Sequence, residues 1–232
     1  MQPNYDHLTR QLDLIPLMAL NRKITVIGAG AIGSFTVLNL VKMGFTDVTV
    51  YDFDSVSIEN MNCQWYRKKD IGKPKVLALK EIILDFTDVP IEIRQLKWNG
   101  TQDLEGIVIS AVDSMEVRRQ IWKHCFGNYK VEWLIDPRMA AEYALMYTID
   151  PSDEKDQKTY EATLYSDSES VQEACTAKAT MYTATMISGH VAKAVKDIVT
   201  GGKYARSTAW DIALNNQLTW PKKPKETSNE QG

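Results

Sequence analysis

Three glycines, Gly28, Gly30 and Gly33, constrain this chain more than any other feature, because they form G-x-G-x-x-G between two runs of opposite character. Ahead of them lies ITVI, apolar and β-branched; behind them AIGSFTVLNLVKMG follows helical spacing and stops at Gly44. VTVYDFD (Val48 to Asp54) then reads as a second buried strand. Strand, glycine turn, helix and strand make the opening unit of a doubly wound sheet. In that setting glycine permits a tight turn and lets a phosphate approach backbone N–H groups at the helix N-terminus. Asp52 ends the second strand, 19 residues after Gly33, where an acid can accept the hydroxyl protons of a ribose. NAD, SAM and ATP all satisfy these residues equally.

The alternation continues along the chain. VLALKEIILDF (76–86) reads as a helix, IEIRQL (91–96) and IVISAV (107–112) as strands, MEVRRQIWKHCF (115–126) as a helix and VEWLID (131–136) as a strand. Apolar residues on both faces of 107–112 suit a central parallel strand. Beyond Pro137, YALMYTID (143–150) and TYEATLY (159–165) alternate around a polar loop and read as an antiparallel pair. An acidic crossover is expected over 166–175 and a long helix over 178–199. The expected fold is therefore α/β: a Rossmann-like, doubly wound, mostly parallel sheet with antiparallel C-terminal strands. Three segments are expected: an arm over 1–20 containing a short amphipathic helix, the α/β domain over 21–204, and an extension over 205–232 that is partly disordered, its end being rich in proline and charge.

Composition excludes several classes of function. With 27 basic and 30 acidic side chains the net charge is −3, which argues against non-specific nucleic-acid binding. No apolar run approaches the roughly 20 residues that span a bilayer, and the N-terminus lacks a signal-peptide layout. The expected setting is the cytoplasm, away from membranes. Three cysteines and three histidines, all scattered, form no transition-metal motif. A hard cation such as Mg²⁺, held by carboxylate and phosphate, is the metal that the inventory allows.

Past Asp52 the motifs narrow the choice. GAGAIG, Asp52-Phe53-Asp54-Ser55-Val56, Asn60 to Gln64, Gly72-Lys73-Pro74-Lys75 and Asp113 after a strand stand in the order and spacing of a family pattern. That pattern is a glycine turn, D-x-D-x-V, N-x-x-R-Q, G-x-P-K and a strand ending in Asp. On these residues the chain resembles the adenylation domain shared by ubiquitin-activating enzymes and their bacterial relatives ThiF, MoeB and HesA, across about residues 5–199. The resemblance implies an ATP- and Mg²⁺-dependent adenylyltransferase that activates a carboxylate, most naturally the C-terminus of a small ubiquitin-like protein or precursor peptide. It implies that Asp52 holds the ribose, Lys75 the triphosphate and Asp113 the Mg²⁺, while Asn60 and Gln64 line the phosphate region. Arg10, in an arm resembling the family's, would reach the site of a partner subunit, which implies a homodimer. Cys175, in EACTAK before the last helix, would be the thiol that accepts the activated acyl group.

One position departs from the pattern. Cys63 stands where the family has Arg, and a thiol cannot supply the two hydrogen bonds of a planar guanidinium. Arg67, four residues on, is the nearest substitute. Plainer roles compete at several positions: Asp113 could cap the next helix with Glu116 completing a capping box, Lys73 and Lys75 could be solvated flanks of a helix start, Arg10 an exposed charge, and Cys175 a small core residue. Two rival functions also stand: an NAD-dependent oxidoreductase, and a catalytically impaired partner subunit of an activating enzyme.

Overall fold

A computed structural model describes residues 6–165 and 179–221. Among them one eight-stranded sheet organises the chain. Its strands are β1 (Ile24–Ile27), β2 (Val48–Tyr51), β3 (Glu92–Arg94), β4 (Gly106–Ser110), β5 (Val131–Ala140), β6 (Tyr143–Ile149), β7 (Ala205–Asp211) and β8 (Asn216–Pro221), in the order β3-β2-β1-β4-β5-β6-β7-β8. The first five are parallel, and β5 through β8 are antiparallel neighbours. Mostly apolar β1, β2 and β4 are buried on both faces, as parallel strands covered by helices must be.

Helices α1 (Ala31–Lys42), α2 (Lys75–Thr87) and α5 (Met181–Val199) cover one face, with α1 packed between its neighbours and the strands. Helices α3 (Met115–Cys125) and α4 (Glu154–Glu161) cover the other, where Ile121, Trp122, Cys125, Leu134 and Tyr160 form a second core cluster. The order in which strands are added reverses between the parallel neighbours β1 and β4: β1 feeds a helix on one face and β4 feeds a helix on the other. A ligand crevice opens at the carboxyl ends of neighbouring strands whose connections leave to opposite faces in this way.

Four expectations change. The arm is not an α-helix: residues 6–8 and 17–20 form 3-10 turns joined by further turns, and Pro16 extends the chain between them. Leu8, Ile15 and Leu20 are nonetheless buried, and a Cβ on Gly44 would strike the Leu8 and Leu20 side chains. Thr159–Glu161 belongs to α4 and not to a strand, because the Asp153 carboxylate caps the Lys155 and Asp156 N–H groups and starts a helix there. The antiparallel partner of β6 comes instead from β5, which runs four residues past Asp136, and from β7. Residues 205–221 are accordingly a hairpin of the main sheet, turning at Asn215 with φ of +54°, so the boundary expected at residue 204 falls inside one fold. The crossover with Cys175 and the tail from 222 lie outside the described residues.

Candidate functional site

The site is built where β1, β2 and β4 end. β1 turns through Gly28, whose φ is +100° and whose missing Cβ would collide with the Ala111 carbonyl oxygen at the end of β4. Gly33 lies one helical turn on, and a Cβ there would overlap the Gly28 carbonyl oxygen. These two glycines are packing requirements. Gly30 differs: a Cβ built on it meets nothing within 4 Å, and as N-cap of α1 it supplies no side-chain cap. Uncapped N–H groups beside open room are what a phosphate needs.

Asp52 fastens this turn to β2. One of its oxygens accepts the Ala29 N–H at 2.7 Å and the other accepts the Asp54 N–H at 2.8 Å. Burial raises its pKa above the ordinary aspartate value; the two N–H donors and Lys75 oppose that shift. Tyr66 donates its hydroxyl proton to the Ala29 carbonyl at 2.6 Å, and Ser34 Oγ accepts the Trp65 N–H at 3.0 Å. Segment 63–66 is therefore strapped across the glycine turn. Tyr66 and Ser34 carry no sequence signal, because an isolated Tyr or Ser has no motif around it.

Lys75 is the first residue of α2, with Pro74 as N-cap. Its side chain is only 8 % exposed, so it is no solvated flank, and its ammonium donates to Asp54 Oδ2 at 2.9 Å. Lys73 behaves as the plainer reading expects: it is half-exposed and pairs with Glu81 at 2.6 Å. Cys63 is buried, its thiol pKa raised by desolvation and opposed by the nearby Lys75 charge. Gln64 Oε1 is buried with no hydrogen-bond partner among the described residues, and Asn60 Oδ1 accepts the Ser57 N–H at 2.8 Å. Arg67, the nearest cation offered in place of an Arg at position 63, is already paired. Its guanidinium binds Asp70 at 2.8 Å, Glu81 at 3.3 Å and also Asp85, three carboxylates that absorb its charge.

Asp113 follows β4 in the same cleft and is exposed. The capping role falls to its neighbour, as Ser114 Oγ accepts the Val117 N–H at 3.4 Å, while Glu116 pairs with Arg119 at 2.6 Å. Asp113 is thus left over by the helix start, and its carboxylate faces solvent. Arg118 fixes the backbone that presents it. Buried against β4, Arg118 donates to the Val112 carbonyl, the residue before Asp113, and to Asp136 of β5. Desolvation and Arg138 lower its pKa to about 10. The doublet Arg118-Arg119 on an amphipathic helix resembles a solvated pair, so only the packing distinguishes its buried member.

Arg10 stands apart within its own chain. Gln11 Nε2 donates to the Met43 carbonyl at 2.6 Å, which pins the arm to the far end of α1. Twelve helical residues, about 18 Å, separate that end from Gly30. His7 is exposed in the arm, His124 packs edge-on to Trp98, and His190 lies against Trp210. No histidine sits on a segment that builds the cleft.

The residues present fit a magnesium nucleotide. Open room over Gly30, a buried ammonium, an exposed carboxylate outside the helix cap and the unpartnered Gln64 Oε1 converge on one end of the sheet. Among the described residues no group of three His, Cys, Asp or Glu could hold a metal alone, so a hard cation beside Asp113 would need phosphate oxygens among its ligands.

Comparison with known proteins agrees with this geometry. The model of the ThiF family matches residues 17–231. SUMO-activating enzyme subunit 2 of Dictyostelium discoideum is 29 % identical over 137 residues, 55 % of this chain and 21 % of that protein. The NEDD8-activating enzyme E1 catalytic subunit of the same organism is 36 % identical over 105 residues, 43 % of this chain and 24 % of that protein. The matches thus span less than a quarter of each of these curated relatives. Among solved structures, E. coli MccB crystallised with AMPCPP and SeMet MccA superposes with a TM-score of 0.75 at 15 % identity, covering 94 % of this chain and 72 % of that one. PaaA superposes with a TM-score of 0.75 at 16 % identity, covering 94 % and 73 %. At such identities the superpositions establish the fold alone.

Proposed function

The chain belongs to the ThiF family, and from that premise we propose that it is an ATP-dependent adenylyltransferase activating a carboxylate at the C-terminus of a small ubiquitin-like protein or a precursor peptide. The carrying observation is the convergence of Gly30, Asp52, Lys75 and Asp113 on one end of the sheet. The carboxylate attacks the α-phosphorus in line, pyrophosphate leaves, and an acyl-adenylate remains. No proton base is required; positioning and charge carry the step. Asp52 accepts the ribose hydroxyl protons, α1 offers its first N–H groups to phosphate, Gln64 and Asn60 border the phosphate region, and Lys75 holds the triphosphate as a point charge. Asp113 holds Mg²⁺, which supplies neutralisation of phosphate charge when bound.

The relatives' names support the partner class: two activate SUMO or NEDD8, and MccB is crystallised with MccA. A homodimer completes the proposal, with Arg10 of one subunit entering the cleft of the other. The arm's attachment far from its own cleft is compatible with that arrangement. Cys175 serves as acyl acceptor after adenylation: its thiolate attacks the acyl carbon of the adenylate, the bond from that carbon to the phosphate oxygen breaks, and AMP leaves. ATP–pyrophosphate exchange, measured with and without a small ubiquitin-like protein or precursor peptide that ends in a free carboxylate, tests the reaction. Exchange that depends on the partner supports it, and binding of NAD without binding of ATP overturns it. Cys175→Ser should leave exchange intact and remove a thiol-labile adduct.

A second reading has its own observation. Cys63 replaces a phosphate-binding Arg, and Arg67 is committed to three carboxylates. A subunit that binds ATP yet never releases pyrophosphate with any partner would be a non-catalytic half of an activating enzyme.

A further inference from the structure

Asp54 has no part in the reading above, although it is the second acid of the D-x-D run. Two contacts join it to Lys75: its Oδ2 accepts from the ammonium at 2.9 Å, and its carbonyl accepts the Lys75 N–H at 2.8 Å. The backbones on either side are also laced, with the Val56 N–H bonded to the Lys73 carbonyl and the Gly72 N–H to the Val56 carbonyl, both at 2.8 Å. On its other side the Asp54 N–H reaches Asp52 Oδ1, and Asp52 Oδ2 reaches the Ala29 N–H. A continuous bonded path therefore runs from the glycine turn through Asp52 and Asp54 to the ammonium of Lys75.

We propose that Asp54 is a positioning residue, which aims the Lys75 ammonium at the phosphate region and keeps it aimed while nucleotide is bound. This rests on the adenylation reading. A lysine side chain has four rotatable carbon–carbon bonds and one point charge, so its location is set by what it touches. An ammonium has three protons; one goes to Asp54, and two are left for phosphate oxygens. The need is sharper here than in a chain with Arg at position 63, because Cys63 brings no cation to the same pocket. The carboxylate of Asp54 is 47 % exposed, so it is not itself locked by burial and its pairing with Lys75 is the ordering contact.

The sign of the effect distinguishes positioning from mere charge. A carboxylate beside a polyanionic nucleotide repels it, so removing that charge alone would tighten binding. Loss of an aimed ammonium would weaken it, by about tenfold for one charge-assisted contact. The experiment is calorimetric titration of Mg·ATP into four proteins: the unchanged chain, Asp54→Asn, Lys75→Ala and the double variant. Expected are about tenfold weaker binding for Asp54→Asn and no further weakening when Asp54→Asn is added to Lys75→Ala, the signature of one residue acting through the other. Unchanged or tighter binding by Asp54→Asn overturns the proposal, as does an additive loss in the double variant. If Asp54→Asn does not fold, Asp54→Ser takes its place in the same comparison. An unchanged chain that does not bind Mg·ATP overturns the adenylation reading and this role together, whereas normal binding by the unchanged chain and by Asp54→Asn removes only this role.

Discussion

One carboxylate oxygen of Asp52 accepts the backbone N–H of Ala29 at 2.7 Å, so the acid at the end of β2 holds the middle of the glycine turn after β1. The same side chain is proposed to bind ribose, which gives Asp52 both a structural and a ligand-binding duty. Burial raises its pKa, and this fixes a sign for each duty. For folding, the raised value means that the native state takes up the proton first. Asp52 therefore subtracts stability as pH rises from the ordinary aspartate range through its raised pKa. For binding, only the ionised form accepts both ribose hydroxyl protons. Mg·ATP affinity should fall as pH drops through that raised pKa, and Asp52→Asn should bind weakly and lack this acidic step. Titrations of both proteins from pH 4 to 7 check this; parallel profiles would contradict it.

Gly33→Ala and Gly30→Ala should behave oppositely. The first drives a methyl group into the Gly28 carbonyl, and overpacking of this kind costs roughly 1–3 kcal/mol or more. The second meets empty space and should cost about 1 kcal/mol or less at an N-cap. Gly30→Ala should nevertheless weaken nucleotide binding, because its methyl group occupies the room over the α1 N–H groups. Thermal melting with and without Mg·ATP separates the two, and a Gly30→Ala protein with full affinity would show that phosphate does not approach there.

The neighbours Asp113 and Ser114 divide two jobs that sequence alone assigns to one residue. Ser114→Ala removes the α3 cap and should cost about 1 kcal/mol. Asp113→Ala should leave the melting temperature of the nucleotide-free protein within a degree or two. It should abolish the extra stabilisation that Mg²⁺ gives beyond ATP alone, a mass-action effect that melting reads directly. A Mg²⁺-dependent shift that survives in Asp113→Ala would move the metal elsewhere.

Arg67→Ala should destabilise the chain, since Asp70, fully buried beside Arg67, keeps a depressed pKa partly through that guanidinium. A lowered carboxylate pKa contributes stability above the ordinary aspartate value and loses it as pH falls through the native value. The loss in Arg67→Ala should therefore be larger at pH 7 than at pH 3, with Mg·ATP affinity unchanged. Affinity that falls tenfold would instead return Arg67 to the phosphate site.

If the sites are composite, Arg10→Ala and Lys75→Ala subunits mixed together should recover part of the activity that each lacks alone. One hybrid cleft then holds both residues intact. A monomer at working concentration, or no recovery after confirmed subunit exchange, would refute the trans arm.

The parallel half of the sheet, the glycine turn and the order of the site segments were legible because local rules govern them. Short apolar, β-branched runs bounded by glycine or polar residues read as the strands β1, β2 and β4, and G-x-G-x-x-G between a strand and a helix has few uses. The places of Asp52 just after β2, Lys75 at the start of α2 and Asp113 in the loop after β4 were legible for the same reason, because local patterns set that order; their roles toward a nucleotide are the proposal. Long-range packing decided the rest. Ala205–Asp211 and Asn216–Pro221 become strands only by pairing with β6 and with each other, and Thr159–Glu161 joins a helix once Asp153 caps it. Arg67 has one carboxylate partner nearby in the chain, Asp70, but its other two and the Asp136 partner of Arg118 lie 14 to 18 residues away and are brought close by folding. Spacing along the chain shows where a charged residue lies, but its burial and its partners, which set the free energy of its charge, exist only in the folded molecule.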